Sequence, residues 1–495
     1  MSAGLVKKLE EIVGREGVVS GQTDLERCGW DATGLGARLP VALVRPRASD
    51  EVARVVALAR EEGLPVTARG GGTGLWAGAV PAGGGIVVSS ERMTAEPEVH
   101  GEDLFVAAGP GVANRDLRKR VEAAGLFYPI DPGSGRRSTL GGNVAEGAVG
   151  MRGLKYGGQR NYVLGLELVT GEGKVLRVGA KTVKNVAGYD VTRLMVGSQG
   201  ILGIVTSVTL KVVPLPQDRV VLAFAFEGGR QAAAAATGIA AGGITPAAVA
   251  AVEVMDRITL AAVARLETEK RKAAGAGGAA GDGDAGAGRR GGREIAGDWW
   301  AAAGGLLLVE LDGTRAACEA ASAGVRETVA RTGKPLAERQ VRYPEAEGLW
   351  GVRRVALEAL GATSPTVIVE NLSVPPGRVA DLVDRVEEVS QRHGVGIAAF
   401  GHAGEGVMHV AFLTDSRDLG EAARAEEARA RLESACEPLG VRVSGRGGTG
   451  LAEMPPARTC LGGASLEIAR RVKRAFDPDG ILNPGKLTTG EPTTW

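Results

Sequence analysis

Residues 184–204 read KNVAGYDVTRLMVGSQGILGI, and this glycine-rich stretch decides the fold together with two others. These are PVTARGGGTGLWAGA at 65–79 and YPIDPGSGRRSTLGGNV at 128–144. Glycine lets the main chain approach a ligand closely and expose several N–H groups at once. Three such loops with apolar flanks therefore predict main chain packed directly against something large and charged. The alternative is that the glycines only form turns.

The composition argues against several classes of protein. The chain has 495 residues, enough for at least two domains, and its 59 basic and 58 acidic residues are interspersed, which argues against a nucleic-acid-binding face. No run of 18 uncharged apolar residues occurs, and residues 1–17 are typical of a charged amphipathic helix rather than a signal peptide. We therefore expect a cytoplasmic protein, with any membrane association made through a partner.

The cysteines argue against an intrinsic electron-transfer centre. Cys28, Cys318, Cys436 and Cys460 include no CxxC pair. That spacing fits neither a disulfide framework nor an iron–sulfur cluster with standard ligands.

Hydrophobic periodicity divides the chain into two α+β regions. Up to about residue 215, strands such as VLGLELVT alternate with helices such as SDEVARVVALAREEG. Beyond it, strands such as GLLLVELDG and TVIVENLSVP are separated by amphipathic helices, an order that predicts a sheet with helices packed on one side. Residues 269–292 are almost entirely Ala, Gly, Asp, Arg and Lys, so we expect a disordered insertion there.

Three parts of the chain carry a family resemblance: the glycine loops, LEIARRVKRAFDPDGILNPGKL at 466–487 and GHAGEGVMHV at 401–410. They resemble the FAD-linked oxidases of the vanillyl-alcohol oxidase type, in the branch of the glycolate oxidase FAD subunit and the D-lactate dehydrogenases. The resemblance covers nearly the whole chain outside 269–292. It implies a two-subdomain FAD-binding domain at 1–215, an α+β cap domain for the substrate at 216–440, and a segment at 441–495 that returns to the FAD domain.

The resemblance assigns the glycine loops to FAD, and their chemistry agrees. A concave row of main-chain N–H groups at residues 69–78 can hold a pyrophosphate without side-chain cations, and hydroxyl groups and further glycines follow in the second loop. None of the four histidines lies in the first loop, so we expect FAD to be bound non-covalently. The expected cofactor-binding residues are Arg69, Gly70, Gly71, Gly72, Thr73, Gly74, Pro132, Gly133, Ser134, Ser138, Thr139, Gly141, Gly142, Asn143, Gly200, Ile204 and Asn483.

The substrate half departs from the family pattern. Family members that oxidise D-2-hydroxy acids carry GHxGDGNxH, whose histidines bind a divalent metal, and a later EHGIG segment. Here His402 and His409 are kept, but the usual asparagine is Val407, and Arg446 stands where the metal-binding glutamate would be. A cation there would repel a dication. The two histidines therefore either bind a divalent metal or form a satisfied pair in the core.

An arginine in LWGVRR stands at the position that binds the substrate carboxylate in the family. Arg353 could hold a carboxylate through two parallel hydrogen bonds, and Arg446 would add to the positive charge. The alternative is that Arg353 belongs to a solvated helix face.

The resemblance implies FAD-dependent oxidation of a D-2-hydroxy acid, of the glycolate or D-lactate type, to the 2-oxo acid. His402 or His409 is the expected base, because a neutral imidazole has a suitable pKa. Electrons would pass to an external acceptor such as an iron–sulfur subunit, an electron-transfer flavoprotein or a quinone-linked chain. The alternative is a non-catalytic FAD-binding subunit of a glycolate-oxidase-like complex; flavin-dependent group transfer is less favoured.

Overall fold

The computed structural model describes residues 3–33, 38–242, 248–276, 299–440 and 454–486. The chain divides into two compact units. Unit 1 comprises residues 1–150, 157–215 and 447–495, and unit 2 comprises residues 151–156 and 216–446. Three separate stretches of chain therefore build unit 1.

Unit 1 contains two main sheets, each made of short strands. Its described strands are β1 (Val18–Val19), β2 (Ala42–Val44), β3 (Val66–Arg69), β4 (Ile86–Ser89), β5 (Glu98–His100), β6 (Phe105–Ala108), β7 (Leu126–Phe127), β8 (Val163–Val169), β9 (Val175–Gly179), β10 (Ile204–Lys211) and β11 (Val213–Pro214). Its described helices are α1 (Ala3–Val13), α2 (Gln22–Cys28), α3 (Ser49–Glu61), α4 (Asn114–Ala123), α5 (Leu140–Glu146), α7 (Val191–Met195) and α15 (Met454–Phe476); α6 (Gly153–Tyr156) lies in unit 2.

The first sheet of unit 1 has the described strand order β1-β2-β4-β3, in which β2, β4 and β3 are parallel. Helix α3 forms because its apolar residues recur on one face, and Val52, Val55, Val56 and Ala59 are fully buried. The carboxyl end of β3 leads directly into the first glycine loop. This sheet therefore fixes where that loop begins.

The second sheet of unit 1 is antiparallel, with the described order β5-β6-β10-β8-β9. Strand β10 alternates buried and half-buried positions along its whole length, as a strand with one covered face does. The C-terminal stretch returns to the first sheet, where the Val66 N–H donates to the Ile481 carbonyl at 2.8 Å and the Asn483 N–H donates to the Val66 carbonyl at 2.7 Å. Residues far apart in sequence thus meet beside the first glycine loop.

Unit 2 is built on one antiparallel sheet with the described order β15-β12-β14-β13-β17-β18-β16. The strands are β12 (Asp218–Phe226), β13 (Val249–Asp256), β14 (Gly305–Gly313), β15 (Ala337–Arg342), β16 (Thr366–Ser373), β17 (Gly396–His402) and β18 (Val407–Thr414). The further helices are α8 (Gly229–Ala241), α9 (Arg257–Ala276), α10 (Arg315–Thr332), α11 (Glu347–Arg354), α12 (Ala356–Thr363), α13 (Val379–His393) and α14 (Leu419–Cys436).

Helices cover both faces of this sheet, so the expectation of helices on one side is wrong. Val220 and Leu222 of β12 belong to a core shared with α8, α10, α13 and α14. Val221 and Ala223, which point the other way, belong to a core shared with α9, α11 and α12. The physical reason is that β12 is apolar at successive positions, and a strand with two apolar faces has to be covered on both.

The insertion expected at 269–292 also begins later than its composition indicates. Helix α9 continues to Ala276, so residues 269–276 are helical. Ala, Glu, Lys and Arg are strong helix formers and can extend a helix whose start is packed on a sheet. Residues 277–292 lie outside the described part of the chain.

Candidate functional site

The first glycine loop of unit 1 runs directly against the residues that precede and open α5. A Cβ added at Gly70 would meet Thr139 Oγ1, and one added at Gly71 would meet the carbonyl oxygen of Arg137. Gly72 has a φ of +62°, a conformation that side chains other than glycine rarely adopt. Glycine is therefore required in this loop both for close packing and for backbone conformation.

The Arg69 guanidinium lies at the beginning of this loop, and the Glu146 carboxylate lies further along it. Nη1 of Arg69 donates to the Trp30 carbonyl at 2.7 Å, and a Cβ on Gly72 would meet the same guanidinium. Thr73 is half-buried, and Gly74 packs against the side chain of Glu146. The loop thus changes electrostatic character along its length.

The second loop is a tight turn held by its own main chain. The Gly135 N–H donates to the Pro132 carbonyl at 2.8 Å, and the Ser138 N–H donates to the Ser134 carbonyl at 2.9 Å. As far as the described residues extend, Gly133 has open space where a Cβ would be. The turn leaves room beside Gly133 for a ligand.

Helix α5 begins beside this turn. Thr139 caps it by accepting a hydrogen bond from the Gly142 N–H at 3.4 Å. Gly141 sits so close to Pro110 that a Cβ would lie 2.7 Å from the Pro110 Cβ. Glycine at 141 therefore lets α5 start against the main chain of the preceding loop.

Several buried polar atoms on these loops have no hydrogen-bond partner within the described residues. Ser138 and Asn143 are each 3% exposed and Gln199 is 4% exposed, and the unpaired atoms are Ser138 Oγ, Asn143 Nδ2 and both amide atoms of Gln199. Leaving such a group unpaired costs about 1–3 kcal/mol. A bound molecule with hydroxyl, amide and phosphate groups would supply the missing partners, so these residues fit FAD.

Of the remaining expected cofactor residues, two meet beside the first loop and one lies in the core. Asn483 is 1% exposed, and a Cβ on Gly200 would lie 3.9 Å from its Nδ2. Ile204 is 5% exposed and packs in the apolar core of the first sheet with residues such as Val66. A contact of Ile204 with the adenosine half of FAD stays a prediction.

The catalytic candidates of unit 2 centre on a carboxylate that the sequence reasoning missed. Glu253 on β13 is fully buried, its Oε1 lies 2.5 Å from Nδ1 of His402, and its Oε2 accepts from Nε of Arg353 at 2.6 Å. Arg353 is only 6% exposed, so the alternative of a solvated helix face is wrong. Its guanidinium lies over the Phe400 ring, with 5.0 Å between Cζ and the ring centroid.

The two histidines have different partners and different electrostatics. Nδ1 of His409 lies 2.6 Å from Oδ1 of Asn371, so it carries the hydrogen and Nε2 keeps a lone pair. Burial, together with the charges of Arg353 and His402, holds the pKa of His409 well below its usual value. Burial also disfavours the charged form of His402, but the Glu253 carboxylate outweighs it and raises the pKa of His402.

Strand register explains why these side chains meet. His409 is paired with Phe400 on one side and with Asn371 on the other, and Met255 is paired with Phe400. Because side chains alternate along a strand, Glu253, two residues before Met255, shares its face of the sheet. Neighbouring strands thus place Glu253, His402, His409 and Asn371 on one face, where Arg353 of α11 joins them.

A metal site does not follow from the described residues alone. They contain no group of three or more His, Cys, Asp or Glu side chains placed to hold a metal ion. Arg446, which is expected to repel a dication at such a site, lies outside the described residues. Burial raises the pKa of nearby Glu405 to about 7, while the charge of His402 opposes that rise.

Sequence reasoning also missed Asn371 and, in unit 1, Glu146 and Gln199. A signal was present for two residues: Glu253 interrupts the apolar run VAAVEVMD, and Asn371 follows the run TVIVE. A buried polar group within an apolar strand requires a partner. Periodicity gives no such signal for Glu146 or Gln199, because neither lies in a regular apolar pattern.

Comparison with known proteins identifies the family. Residues 215–487 match the family described as FAD linked oxidases, C-terminal domain, and residues 40–179 match an FAD binding domain. The chain is 35% identical to the glycolate oxidase subunit GlcD of Bacillus subtilis (strain 168) over 462 residues, which cover 92% of this chain and 91% of that one. It is 33% identical to a D-lactate dehydrogenase of Archaeoglobus fulgidus over 453 residues, 90% of each chain.

Solved structures resemble the fold at low sequence identity. A 4-ethylphenol oxidase from Gulosibacter chungangensis superposes with a TM-score of 0.74 at 20% identity, covering 98% of this chain and 96% of that one. p-Cresol methylhydroxylase superposes with a TM-score of 0.74 at 18% identity and the same coverage. These likenesses bear on the fold.

The chain therefore belongs to the FAD-linked oxidases. It is an oxidoreductase with FAD as its cofactor, and the α+β fold of the vanillyl-alcohol oxidase type expected from the sequence is confirmed. None of the described helices combines the length and the apolar character needed to cross a bilayer.

Proposed function

We propose that this protein oxidises a D-2-hydroxy acid, of the glycolate or D-lactate type, to the corresponding 2-oxo acid. The observation that carries the proposal is the position of Glu253, whose one carboxylate faces both His402 and Arg353. With His402 protonated, the three groups have a net charge of +1. A buried site with that charge suits a small carboxylate substrate.

Arg353 is the group that would bind the substrate carboxylate. Its hydrogen bond to Glu253 uses Nε, and within the described residues the terminal nitrogens have no further partner. Those two nitrogens can donate two parallel hydrogen bonds to a carboxylate. Glu253 and the Phe400 ring hold the guanidinium in place, so Arg353 would orient the substrate as well as neutralise the charge of its carboxylate.

His409 is the better placed of the two candidate bases. Its Nε2 can accept the hydroxyl proton, whereas His402 is held towards its charged form by Glu253. A substrate carboxylate on Arg353 would neutralise one of the charges that lower the pKa of His409, so substrate binding would strengthen the base. FAD, when bound, supplies the acceptor for the α-hydrogen and its electron pair.

The electrons would then leave to an external acceptor. The chain has no CxxC pair, and three of its relatives are named as subunits of a glycolate oxidase. We propose that an iron–sulfur protein, an electron-transfer flavoprotein or a quinone-linked chain serves as the acceptor.

The test is an anaerobic titration of the FAD-loaded protein with glycolate, D-lactate, D-2-hydroxyglutarate and the L-forms of the chiral acids. Loss of the visible band of oxidised flavin with a D-acid or glycolate is the expected result. The His409→Gln variant should slow this loss by about 100-fold or more, the usual contribution of a general base. His100→Gln, a change on strand β5 of unit 1, is the matched control.

Two outcomes would contradict the proposal. If no acid of the panel reduces the flavin while dithionite does, the proposed substrate class is wrong. If the L-forms alone react, the proposed stereochemistry is wrong.

A further inference from the structure

Strained backbone is concentrated at one place in unit 1. Among the described residues, the non-glycine positions with positive φ are Ala77 (59°), Leu104 (55°), Gln199 (54°) and Asn483 (43°). All of these except Leu104 meet in one cluster. Strain of this kind costs about 1–3 kcal/mol per residue and is retained mostly at functional sites.

Side chains of the C-terminal stretch hold this cluster together. Nδ2 of Asn483 donates to the carbonyl of Gly78 at 2.8 Å and to that of Gln199 at 2.6 Å. The ammonium of Lys486 is fully buried and donates to the carbonyls of Ala77 and, at 3.0 Å, of Val80. The end of the first glycine loop is therefore clamped to the turn at residues 197–200.

Two polar side chains converge on this clamp without partners of their own. A Cβ on Gly78 would meet Oε1 of Gln199 and would lie 3.7 Å from Oε1 of Glu146. Within the described residues, neither the Gln199 amide nor the Glu146 carboxylate makes a hydrogen bond, although Gln199 is only 4% exposed. Burial and the charge of Asp31 raise the pKa of Glu146 to about 7, against the opposing charge of Lys486.

The electrostatics do not favour a phosphate at this end of the loop. Burial lowers the pKa of Lys486 to about 7, although the nearby carboxylates of Asp31 and Glu146 oppose that fall, so the end near Gly78 is not cationic. The other end, near Gly72, has the Arg69 guanidinium. An anion is therefore favoured at the Arg69 end, and uncharged hydrogen-bond donors are favoured at the Glu146 end.

We propose that Glu146 and Gln199 form a recognition site for the uncharged sugar hydroxyls of FAD, and that the pyrophosphate lies towards the Arg69 end of the same loop. A carboxylate accepts hydrogen bonds from hydroxyl groups, and the Gln199 amide can both donate and accept. The hydroxyls belong either to the ribityl chain or to the ribose of the adenosine. This site would bind FAD in the same way whichever substrate the enzyme oxidises.

The experiment is a titration of the apoprotein with FAD, followed by the quenching of flavin fluorescence. Glu146→Ala should weaken FAD binding by about tenfold or more, because the hydrogen bonds to a buried carboxyl group are lost. Glu146→Gln keeps the shape and one acceptor oxygen, and it should weaken binding less. Glu102→Ala, a change in an exposed turn of the same unit, is the matched control.

Riboflavin and ADP distinguish the two sources of hydroxyl groups. Calorimetric titration of each variant with riboflavin tests the ribityl chain, and titration with ADP tests the ribose. A loss confined to riboflavin assigns the site to the ribityl chain, and a loss confined to ADP assigns it to the ribose. Both results support the recognition of sugar hydroxyls.

Two results would overturn the proposal. In one, Glu146→Ala and Gln199→Ala bind FAD within twofold of the wild type while the apoprotein melts at an unchanged temperature. In the other, Glu146→Gln binds FAD more tightly, which would mean that the carboxylate repels the pyrophosphate. A wild-type protein that fails to bind FAD would instead contradict the cofactor assignment, so the two failures are distinguishable.

Discussion

Glu253 shows how much of the site depends on one residue. Burial alone would disfavour its charge, but His402 and Arg353 outweigh burial and lower the pKa of Glu253. The carboxylate is therefore the anion that holds two cations together. Removing its charge leaves the cations of His402 and Arg353 facing each other in a buried site, which destabilises the folded protein.

The first prediction concerns Glu253→Gln. We expect the free energy of unfolding at pH 6 to fall by about 3–5 kcal/mol, the usual cost of breaking a buried pair. We also expect the pKa of His402 to fall, because its anionic neighbour is lost. The chain has only four histidines, so NMR titration of their ring protons can follow His402.

The contribution of the Glu253–His402 pair to the free energy of unfolding changes with pH in one direction. The pKa of His402 is raised in the folded protein, so its contribution to stability is fully present below the unfolded-state value of about 6.5. That contribution is lost as the pH rises through the folded-state pKa. Glu427→Gln, an exposed change on α14, should leave the profile unaltered, and an equal change in both variants would contradict the role of Glu253.

The second prediction concerns Asn371→Asp. A carboxylate beside Nδ1 of His409 favours the imidazolium, so the pKa of His409 should rise from its depressed value. A general base works only when unprotonated, so the acid limb of kcat/KM should move to higher pH. A pH–rate profile measures this shift. An unmoved acid limb would indicate that another residue is the base.

At the scale of elements, α6 is held in unit 2 by buried charges. Arg152, 1% exposed, precedes α6, and its Nε donates to Oε1 of the fully buried Glu310 on β14 at 2.7 Å. The Tyr343 hydroxyl donates to the same carboxylate at 3.0 Å. Lys155 and Tyr156 of α6 both bond to Asp312. These partners place a six-residue excursion of the chain on the sheet of unit 2.

The third prediction is a double-mutant cycle on this pair. Arg152→Met should lower the free energy of unfolding by about 3–5 kcal/mol, because Glu310 is left buried without its cation. Adding Glu310→Met should restore much of that loss, since no charge then remains unpaired. Urea denaturation of the single and double variants measures the coupling. Additive losses would show that the two residues act independently.

At the scale of the whole molecule, unit 1 is completed by residues from the end of the chain. Asp477 accepts hydrogen bonds from the N–H groups of Ile481 and Leu482, and Nζ of Lys473 donates to the Ile201 carbonyl at 2.7 Å. Asn483 and Lys486 then clamp the first glycine loop. The loop conformation therefore depends on residues about 400 positions away, as the contact of Asn483 with Gly78 illustrates.

The fourth prediction is that a chain ending at Phe476 loses FAD. We expect FAD binding to weaken by at least 100-fold, because the loss of Asn483 and Lys486 removes the donors to four carbonyls and leaves the strained backbone of the loop unsupported. Fluorescence titration measures the affinity. The point variant Asn483→Ala should weaken binding less than the truncation. Retention of wild-type affinity by the truncated chain would contradict the role of the clamp.

The amino-acid sequence by itself determined the class of protein, the cofactor and the α+β fold through its resemblance to a known family, because the glycine loops and the other motifs that carry the resemblance are local in the chain and can be recognised without a structure. It also predicted His402, His409, Arg353 and Arg446 as the catalytic residues, and the first three of these lie together in the described structure. Only the tertiary structure decided which partners those side chains have. Glu253 and Asn371 join them through strand register, and Glu146 and Gln199 meet through a clamp from the C-terminal stretch. Such contacts depend on pairing between residues that are far apart in sequence, and this pairing produces no periodic pattern in the amino-acid sequence.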